Sequence, residues 1–245
     1  MQKIFYTYRV VVKVLFFINF GVGSTILSLL LFPLFFSKPR KFVSFSFMLF
    51  VWQMRLSGIL TLKVKNKENL RDLHSKIIVA NHPSLLDVVL LISLISNADC
   101  LVNNSLGKRN ILRIIVNTLY ISNELVFEEI SNRVANSLSK GNCVIIFPEG
   151  TRSIPGKAIN FKKGAARLAL ETGYDIVPMH IGGNEKIGLR KHDALLSFHP
   201  TERYHYVLEV LPSISIDEYK DMPKGIASRL LTEKIEKQIT AQDFN

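Results

Sequence analysis

The fold is decided by the stretch Asn81-His82-Pro83-Ser84-Leu85-Leu86-Asp87. An apolar run, Ile77–Ala80, comes directly before it and predicts a short buried strand. Ser84 is a favourable N-cap residue, and Asp87 three positions later resembles the acidic member of a capping box. We therefore expect a strand, then a turn that carries His82, then a helix that carries Asp87 in its first turn.

This local structure would place a histidine beside a carboxylate. His82 and Asp87 are five residues apart, so they would not meet on one regular helix, but they can meet if the helix begins between them. Asp87 would then accept one ring N–H and leave the other ring nitrogen as a base. In the simpler alternative, Asp87 only caps the helix and His82 is a polar loop residue.

A second polar stretch follows another predicted strand. The apolar run Val144–Phe147 leads into Pro148-Glu149-Gly150-Thr151-Arg152-Ser153, and a third run, Ile176–Ile181, leads into two glycines. Ligands of open α/β sheets bind outside the carboxyl ends of the strands. We therefore expect the ends of these three strands to form one crevice, in which the His/Asp pair faces Glu149 and Arg152.

The two polar stretches resemble the first and third sequence blocks of the glycerolipid acyltransferases, and in particular of the 1-acylglycerol-3-phosphate (lysophosphatidate) acyltransferase family. Ile176-Val177-Pro178 is similar to the fourth block, and Phe161–Ala166 to the helix start that usually follows the third. The resemblance covers the chain from about Val64 onward. It implies an α/β fold with a mixed, largely parallel central sheet flanked by helices, and an N-terminal membrane-anchoring helical segment.

The resemblance also implies a reaction. His82 would be the general base that deprotonates the acceptor hydroxyl, which attacks the acyl thioester of coenzyme A or acyl carrier protein. Asp87 would hold the imidazole in the required tautomer. The usual acceptor would be the lysolipid 1-acylglycerol-3-phosphate, which gives phosphatidate. No metal ion and no cofactor is expected, because the acyl donor is itself a substrate.

Substrate contacts are implied for two groups of residues. The set expected to bind the glycerol and phosphate of the acceptor is Glu149, Gly150, Thr151 and Arg152. Arginine suits this role because its forked donors fit phosphate oxygens. Lys162 and Lys163 are expected to face the phosphates of the donor or of a lipid headgroup, with a solvated helix face as the alternative.

The second block departs from the family pattern. The family usually has an arginine at its end that helps to hold the acceptor phosphate, whereas Asn123 lies near that position here. Arg109 and Arg113 are the residues that would substitute. The departure leaves open a different lysolipid or hydroxyacyl acceptor in a specialised lipid pathway, and a non-catalytic membrane adaptor. A hydrolase is disfavoured, since the sequence has no G-x-S-x-G serine elbow.

The charge is concentrated in the first part of the chain. The 245 residues carry a net charge of +11, and residues 1–71 contain eleven Lys or Arg and a single acid. These basic residues alternate with apolar segments rather than lining a polar groove, which favours an anionic membrane surface over nucleic acid. We expect membrane lipids as partners and no nucleic acid.

Two apolar stretches lie within this basic part. Val14–Phe36 has no charged residue and is long enough to cross a ~30 Å hydrocarbon layer, which predicts a transmembrane helix, with a hairpin that enters one leaflet as the alternative. The shorter Phe42–Gln53 predicts an interfacial or re-entrant arm. We expect a membrane-anchoring segment over 1–62 and a catalytic domain over 63–245. The basic flank at 38–41 indicates the cytoplasmic side of the cell inner membrane.

The remaining patterns predict the elements that complete the fold. Helices are expected over residues 84–96, 110–119, 124–140, 161–172 and 224–240, a short strand over 99–102, and an edge strand or hairpin over 204–216. Cys100 and Cys143 lie in or beside apolar runs and predict buried, reduced thiols.

Overall fold

The chain folds around a central β-sheet, as a computed structural model shows for residues 2–30, 39–71, 73–102, 120–122, 126–154, 159–183, 190–191 and 203–241. Within these residues the sheet has seven strands: β1 (Leu60–Lys65), β2 (Ile77–Ala80), β3 (Ala98–Val102), β4 (Tyr120–Ser122), β5 (Cys143–Ile146), β6 (Ile176–Gly183) and β7 (Tyr204–Val210). Their order across the sheet is β1-β7-β6-β2-β5-β3-β4. The strand that leads into His82 is therefore central.

The directions of the strands divide the sheet into two parts. From β6 to β4 every neighbouring pair is parallel, whereas β7 runs antiparallel to β6 and parallel to β1. The expected mixed, largely parallel sheet is thus confirmed. As a consequence, the carboxyl ends of β2, β5 and β6 meet at one edge of the sheet.

The place of β7 corrects one prediction. The alternating pattern over residues 204–216 predicts an edge strand or hairpin, but β7 ends at Val210 and is an inner strand between β1 and β6. The edge strand next to β7 is β1, which the sequence analysis does not predict because Lys63 and Lys65 make it resemble a polar segment. β1 begins at Leu60, before the expected start of the catalytic domain at residue 63.

Helices cover both faces of the sheet. The described helices are α1 (Gln2–Leu30), α2 (Pro39–Leu56), α3 (Asp87–Leu94), α4 (Phe127–Ser139), α5 (Gly164–Thr172) and α6 (Lys224–Thr240), with short 3₁₀ turns at Lys67–Leu70 and Asp217–Tyr219. One core lies between the sheet and α2 and α3, and the other between the sheet and α4, α5 and α6. In β2, Ile78 and Ala80 belong to the first core, and Ile77 and Val79 to the second. This double burial explains why β2 is a continuous apolar run.

The predicted helices are confirmed with small shifts at their ends, apart from that over 110–119, which lies outside the described residues. α6 has the predicted bounds. α3 begins at Asp87, three residues after the expected N-cap Ser84. The shift arises because the Ser84 hydroxyl accepts a hydrogen bond from the main-chain N–H of Leu86 and closes a turn before the helix.

α2 packs one face on the domain and exposes the other. Its buried apolar residues recur at helical spacing and are Val43, Phe47, Val51 and Met54. Ser44 donates a hydrogen bond to the Ile92 carbonyl of α3, and Arg40 forms two hydrogen bonds with the buried Asp99 carboxylate of β3. The opposite face exposes Phe45, Met48, Leu49, Trp52 and Leu56. The predicted interfacial arm is therefore a helix with one free apolar face.

The predicted membrane span over residues 14–36 is not confirmed. Residues 14–30 belong to α1, and residues 31–36 lie outside the described part of the chain. Because α1 begins at Gln2, its apolar stretch shares one helix with Lys3, Arg9 and Lys13. Among the helices that the structure describes, none is both long and apolar enough to cross a membrane.

Candidate active site

His82 lies directly after β2, at the edge where the carboxyl ends of the parallel strands meet. The preceding residue fixes the end of this strand: the Asn81 side-chain amide donates to the Ile181 carbonyl and accepts from the Ile181 N–H, both at 2.7 Å. The chain therefore leaves the sheet at a defined point, and the His82 loop begins from a rigid support.

The structure brings His82 and Asp87 together. Nδ1 of His82 and Oδ2 of Asp87 are 2.8 Å apart, and the same oxygen accepts the main-chain N–H of Ser84 at 2.7 Å. Asp87 thus reaches back as the acid of a capping box does, while it also contacts the imidazole. Because a carboxylate offers only acceptors, Nδ1 carries the proton and the lone pair lies on Nε2.

The environment of the two side chains differs sharply. The Asp87 side chain has no exposed surface, whereas that of His82 is 15% exposed. Burial raises the pKa of Asp87 to about 6, against the opposing effects of the hydrogen bond and charge of His82 and the hydrogen bond from Ser84. Oδ1 of Asp87 accepts no hydrogen bond from the described residues. At neutral pH the pair is a buried carboxylate that orients an accessible imidazole.

Glu149 joins the two polar stretches. Its Oε1 accepts the main-chain N–H of His82 at 2.8 Å, and its carboxylate also accepts the Ser153 hydroxyl. The main-chain N–H of Ser153 in turn donates to the His82 carbonyl at 2.7 Å. The described contacts of Glu149, expected to bind the acceptor, are thus contacts that hold the two loops together.

Gly150 and Lys162 lie against each other. Gly150 has a φ of +68°, and a Cβ placed on it would be 2.9 Å from the Lys162 amine. The main-chain N–H of Lys162 also donates to the Pro148 carbonyl at 3.0 Å. Lys162 is therefore part of the same site as the Glu149 turn. Lys163 is exposed at the start of α5.

The other expected substrate-binding residues lie further out or beyond the described chain. Thr151 is exposed, and Arg152 is partly buried with its Nη1 donating to the Arg190 carbonyl at 3.1 Å. The residues that fall outside the described part are Arg109, Arg113 and Asn123.

Three site residues are missed by the sequence analysis. Phe147 stacks on His82 with ring centroids 4.2 Å apart and so limits rotation of the imidazole. Its position at the end of a predicted strand was the available signal. Tyr206 contacts the Ser84 hydroxyl close to the His82–Asp87 pair, and the Arg190 carbonyl accepts a hydrogen bond from Arg152. Neither residue has a local sequence signal, because each contact is formed between residues far apart in the chain.

Within the residues that the structure describes, no group of three or more His, Cys, Asp or Glu side chains is arranged to hold a metal ion. Cys100 and Cys143 are buried free thiols, and burial raises the pKa of Cys143 to about 11.

Comparison with known proteins identifies the family. The sequence model of the Acyltransferase family matches residues 61–182, which contain both polar stretches, strands β2 to β5 and all of β6 except its last residue. The chain belongs to the acyltransferase family. The resemblance seen in the sequence is confirmed, and the match begins within β1.

Several relatives of this acyltransferase carry the same name. It is 30% identical over 178 residues to the "1-acyl-sn-glycerol-3-phosphate acyltransferase" of Cocos nucifera, covering 62% of this chain and 56% of that one. It is 31% identical over 136 residues to the protein of that name from Borreliella burgdorferi, covering 51% and 52%. The match to a chloroplastic relative from Arabidopsis thaliana is 35% identical over 132 residues and covers 50% and 37%. The chain thus spans about half or less of the length of these relatives.

The fold is also found in a solved structure. The crystal structure of the 1-acyl-sn-glycerophosphate acyltransferase PlsC from Thermotoga maritima aligns over 100% of both chains with a TM-score of 0.75 and 21% sequence identity. This likeness establishes that the two chains share their fold.

Proposed function

We propose that this protein is a membrane-bound 1-acyl-sn-glycerol-3-phosphate acyltransferase that uses His82 as its general base. The observation that carries the proposal is the 2.8 Å contact between His82 Nδ1 and the fully buried Asp87 carboxylate, at the edge of the sheet where the second polar stretch also lies. The names of the relatives support the choice of acceptor.

The geometry supports a direct transfer. Nε2 of His82 takes the proton of the acceptor hydroxyl as its oxygen attacks the thioester carbonyl, and Asp87 stabilises the imidazolium that forms. Collapse of the tetrahedral intermediate breaks the carbon–sulfur bond and releases the thiol, which regains a proton from His82. The acyl donor is acyl-CoA or acyl-acyl carrier protein, and no covalent acyl-enzyme is required.

Basic groups in and around the second polar stretch suit the acceptor phosphate. The Lys162 amine lies against Gly150, and Nη1 of Arg152 donates to the Arg190 carbonyl. A monoanionic or dianionic phosphate between such donors forms charge-assisted hydrogen bonds. We propose that Arg152 and Lys162 bind the phosphate, with Arg109 and Arg113 of the divergent second block as additional donors and Lys163 toward the acyl donor.

The first two helices support action at a membrane surface. α1 exposes apolar side chains that include Ile4, Leu15 and Ile18, and α2 exposes a further apolar face around Trp52. The exposed basic residues Lys3, Lys41 and Arg55 would attract anionic headgroups, each by about 1 kcal/mol. The basic residues Arg9 and Lys13 are buried, and Arg40 is paired with Asp99. We propose that α1 and α2 anchor the protein in one leaflet, with the catalytic domain on the cytoplasmic side of the inner membrane.

The test is acyl transfer by the detergent-solubilised protein from labelled acyl-CoA and acyl-acyl carrier protein. The acceptor panel contains lysophosphatidate, other lysophospholipids and lysolipids without phosphate, with His82→Ala as the blank. The proposal expects phosphatidate from lysophosphatidate. Transfer only to another acceptor would retain His82-dependent acyl transfer and change the proposed acceptor. Asn123 lies near the position at which the resemblance implies an arginine. Absence of His82-dependent transfer to any acceptor would favour a non-catalytic membrane adaptor.

A further inference from the structure

A buried contact lies behind the catalytic pair. The Ser84 hydroxyl and the Tyr206 hydroxyl are 3.0 Å apart, and the two residues are 0% and 1% exposed. Tyr206 belongs to β7, in the part of the sheet that runs antiparallel to the strands of the site. The contact therefore connects the His82 loop to an element that the catalytic sequence stretches do not contain.

We propose that Tyr206 is a positioning residue for the His82–Asp87 pair, because it fixes Ser84 and Ser84 fixes the Asp87 carboxylate. This inference rests on the proposed function, since it concerns how the same base is oriented. The inference goes beyond the proposed function because it assigns a role to a tyrosine that lies outside every sequence motif described above.

The Asp87 carboxylate is held by hydrogen bonds from the His82 loop. Its Oδ2 accepts from only two groups among the described residues, the Ser84 N–H at 2.7 Å and His82 Nδ1 at 2.8 Å. Its Oδ1 accepts from none of the described residues. Apart from the imidazole that it orients, the main chain of Ser84 is therefore the described hydrogen-bonding anchor of this carboxylate. Any displacement of Ser84 changes the direction from which Asp87 meets His82.

The Ser84 hydroxyl is held by contacts with Leu86 and Tyr206. Its hydroxyl accepts the Leu86 N–H at 3.1 Å within the loop, and it contacts Tyr206 across the core. The Leu86 bond lies within the loop, whereas the Tyr206 contact connects Ser84 to β7 of the sheet.

Tyr206 is a rigid support for Ser84. In the sheet it pairs with Leu62 of β1 and Gly183 of β6. A Cβ at Gly183 would lie 1.7 Å from the His205 carbonyl oxygen, so β6 and β7 approach more closely there than any other residue would permit. With strands on both sides and its ring enclosed, Tyr206 has no freedom to follow a moving loop.

The hydroxyl of Tyr206 also keeps its proton. Burial raises the pKa of Tyr206 well above its ordinary value, and the nearby Asp87 charge adds to the effect while the Ser84 hydrogen bond and Arg190 oppose it. Both hydroxyls of the contact are therefore protonated, and either can be the donor.

The test compares Tyr206→Phe with a matched control, Tyr204→Phe. Both changes remove one hydroxyl from a buried ring on the same face of β7, but the ring contact described for Tyr204 is with Lys13 of α1. We expect Tyr206→Phe to lower kcat about fivefold to tenfold, the value of one buried hydrogen bond, with KM within about twofold. Tyr204→Phe is expected to stay within about twofold in both. Equal effects of the two changes would overturn the proposal.

A double-mutant cycle tests whether Tyr206 acts through Ser84. In a Ser84→Ala background, Tyr206→Phe is expected to lower kcat by less than about twofold, because the group it positions is already gone. Independent, multiplicative losses would contradict the assigned route.

A third measurement needs no substrate. In protein labelled with ¹⁵N-histidine, the Nδ1–H resonance of His82 is assigned by its absence from His82→Ala. It is expected to be present in wild type and Tyr204→Phe and to be shifted or broadened in Tyr206→Phe. An unchanged resonance, or none in wild type, would overturn the proposal. A Tyr206-dependent resonance in a protein that transfers no acyl group would instead refute the proposed function and retain the positioning role.

Discussion

The Glu149 carboxylate holds the main chain of His82, with Oε1 of Glu149 at 2.8 Å from the His82 nitrogen. The resemblance to the family implies a substrate-binding role for this acid, whereas its described contacts are with His82 and Ser153. Glu149 is thus placed to fix the loop of the proposed base against the loop of the proposed phosphate site.

This relationship separates two substitutions at Glu149. Glu149→Gln keeps an oxygen acceptor for the His82 N–H and is expected to retain activity within about threefold. Glu149→Ala removes the link and is expected to lower kcat about 10- to 100-fold, since a displaced catalytic group is costly. Steady-state kinetics measure both. If Glu149 served instead as a direct ligand of the acceptor, Glu149→Gln would raise the acceptor KM as strongly as Glu149→Ala.

The Asp87 carboxylate is expected to lower the stability of the folded protein and to raise its activity. Asp87→Asn removes a buried charge, so its Tm at pH 7 should exceed that of wild type by about 2–5 °C. Its kcat should fall about 10²–10⁴-fold, because the amide does not hold the reactive tautomer of His82. Calorimetry and transfer assays on the same preparation measure the two effects. A variant that is both less stable and inactive would show that the carboxylate is structural.

The pH dependence of this stability difference has a defined sign. Burial raises the pKa of Asp87 from 3.8 to about 6, so between these values the folded protein binds more protons at Asp87 than the unfolded chain does. The contribution of Asp87 to stability therefore increases as the pH falls from about 6 to about 4. The Tm advantage of Asp87→Asn should shrink over this range, while wild-type transfer falls below about pH 6 as the orienting charge is lost. A Tm difference that is constant from pH 7 to pH 4 would contradict the raised pKa.

Replacing Gly150 by alanine should be unfavourable for two reasons, backbone strain and contact with Lys162, which a control variant can separate. Gly150→Ala introduces backbone strain at φ +68° and also places a Cβ 2.9 Å from the Lys162 amine. The matched control is Gly141→Ala, with φ +82° and no atom within 4 Å of the added Cβ. Both should lose about 1–2 kcal/mol in urea unfolding. Only Gly150→Ala should raise the KM for substrate severalfold; an equal KM change in the control would remove Lys162 from the site.

Trp52 reports on the proposed membrane surface. It is the single tryptophan of the chain and is 55% exposed on the free face of α2. Vesicles that contain anionic phosphatidylglycerol should shift its emission to shorter wavelength, and the shift should weaken at high salt because the basic residues are screened. Neutral vesicles give the comparison. Emission that is unchanged by anionic vesicles would place this face away from lipid.

Much of the site could be predicted because its decisive contacts are local. Ile77–Ala80 is a continuous apolar run since it is buried on both faces of the sheet, and His82 and Asp87 meet across a single turn. The convergence of three strand ends follows from parallel pairing, which the repeated apolar runs indicate.

The contacts that escape prediction join distant parts of the chain. Tyr206 contacts Ser84 because β7 lies between β1 and β6 in the sheet. This strand order requires the edge strand β1, which the sequence does not predict because of its two lysines. The hydrogen bonds of Glu149 join the His82 loop to the Ser153 loop. They depend on the position of each loop relative to the other, which neither loop sequence specifies alone. The later start of α3 reflects competition between a side-chain turn at Ser84 and the helix.

The most direct test of the central claim is the single-turnover rate of acyl transfer from acyl-CoA to lysophosphatidate in wild type, His82→Ala and the exposed control His74→Ala. We expect His82→Ala to lower the rate about 10²–10⁴-fold with vesicle binding unchanged, and His74→Ala to transfer like wild type. Transfer by His82→Ala at the wild-type rate would contradict the assignment of His82 as the general base.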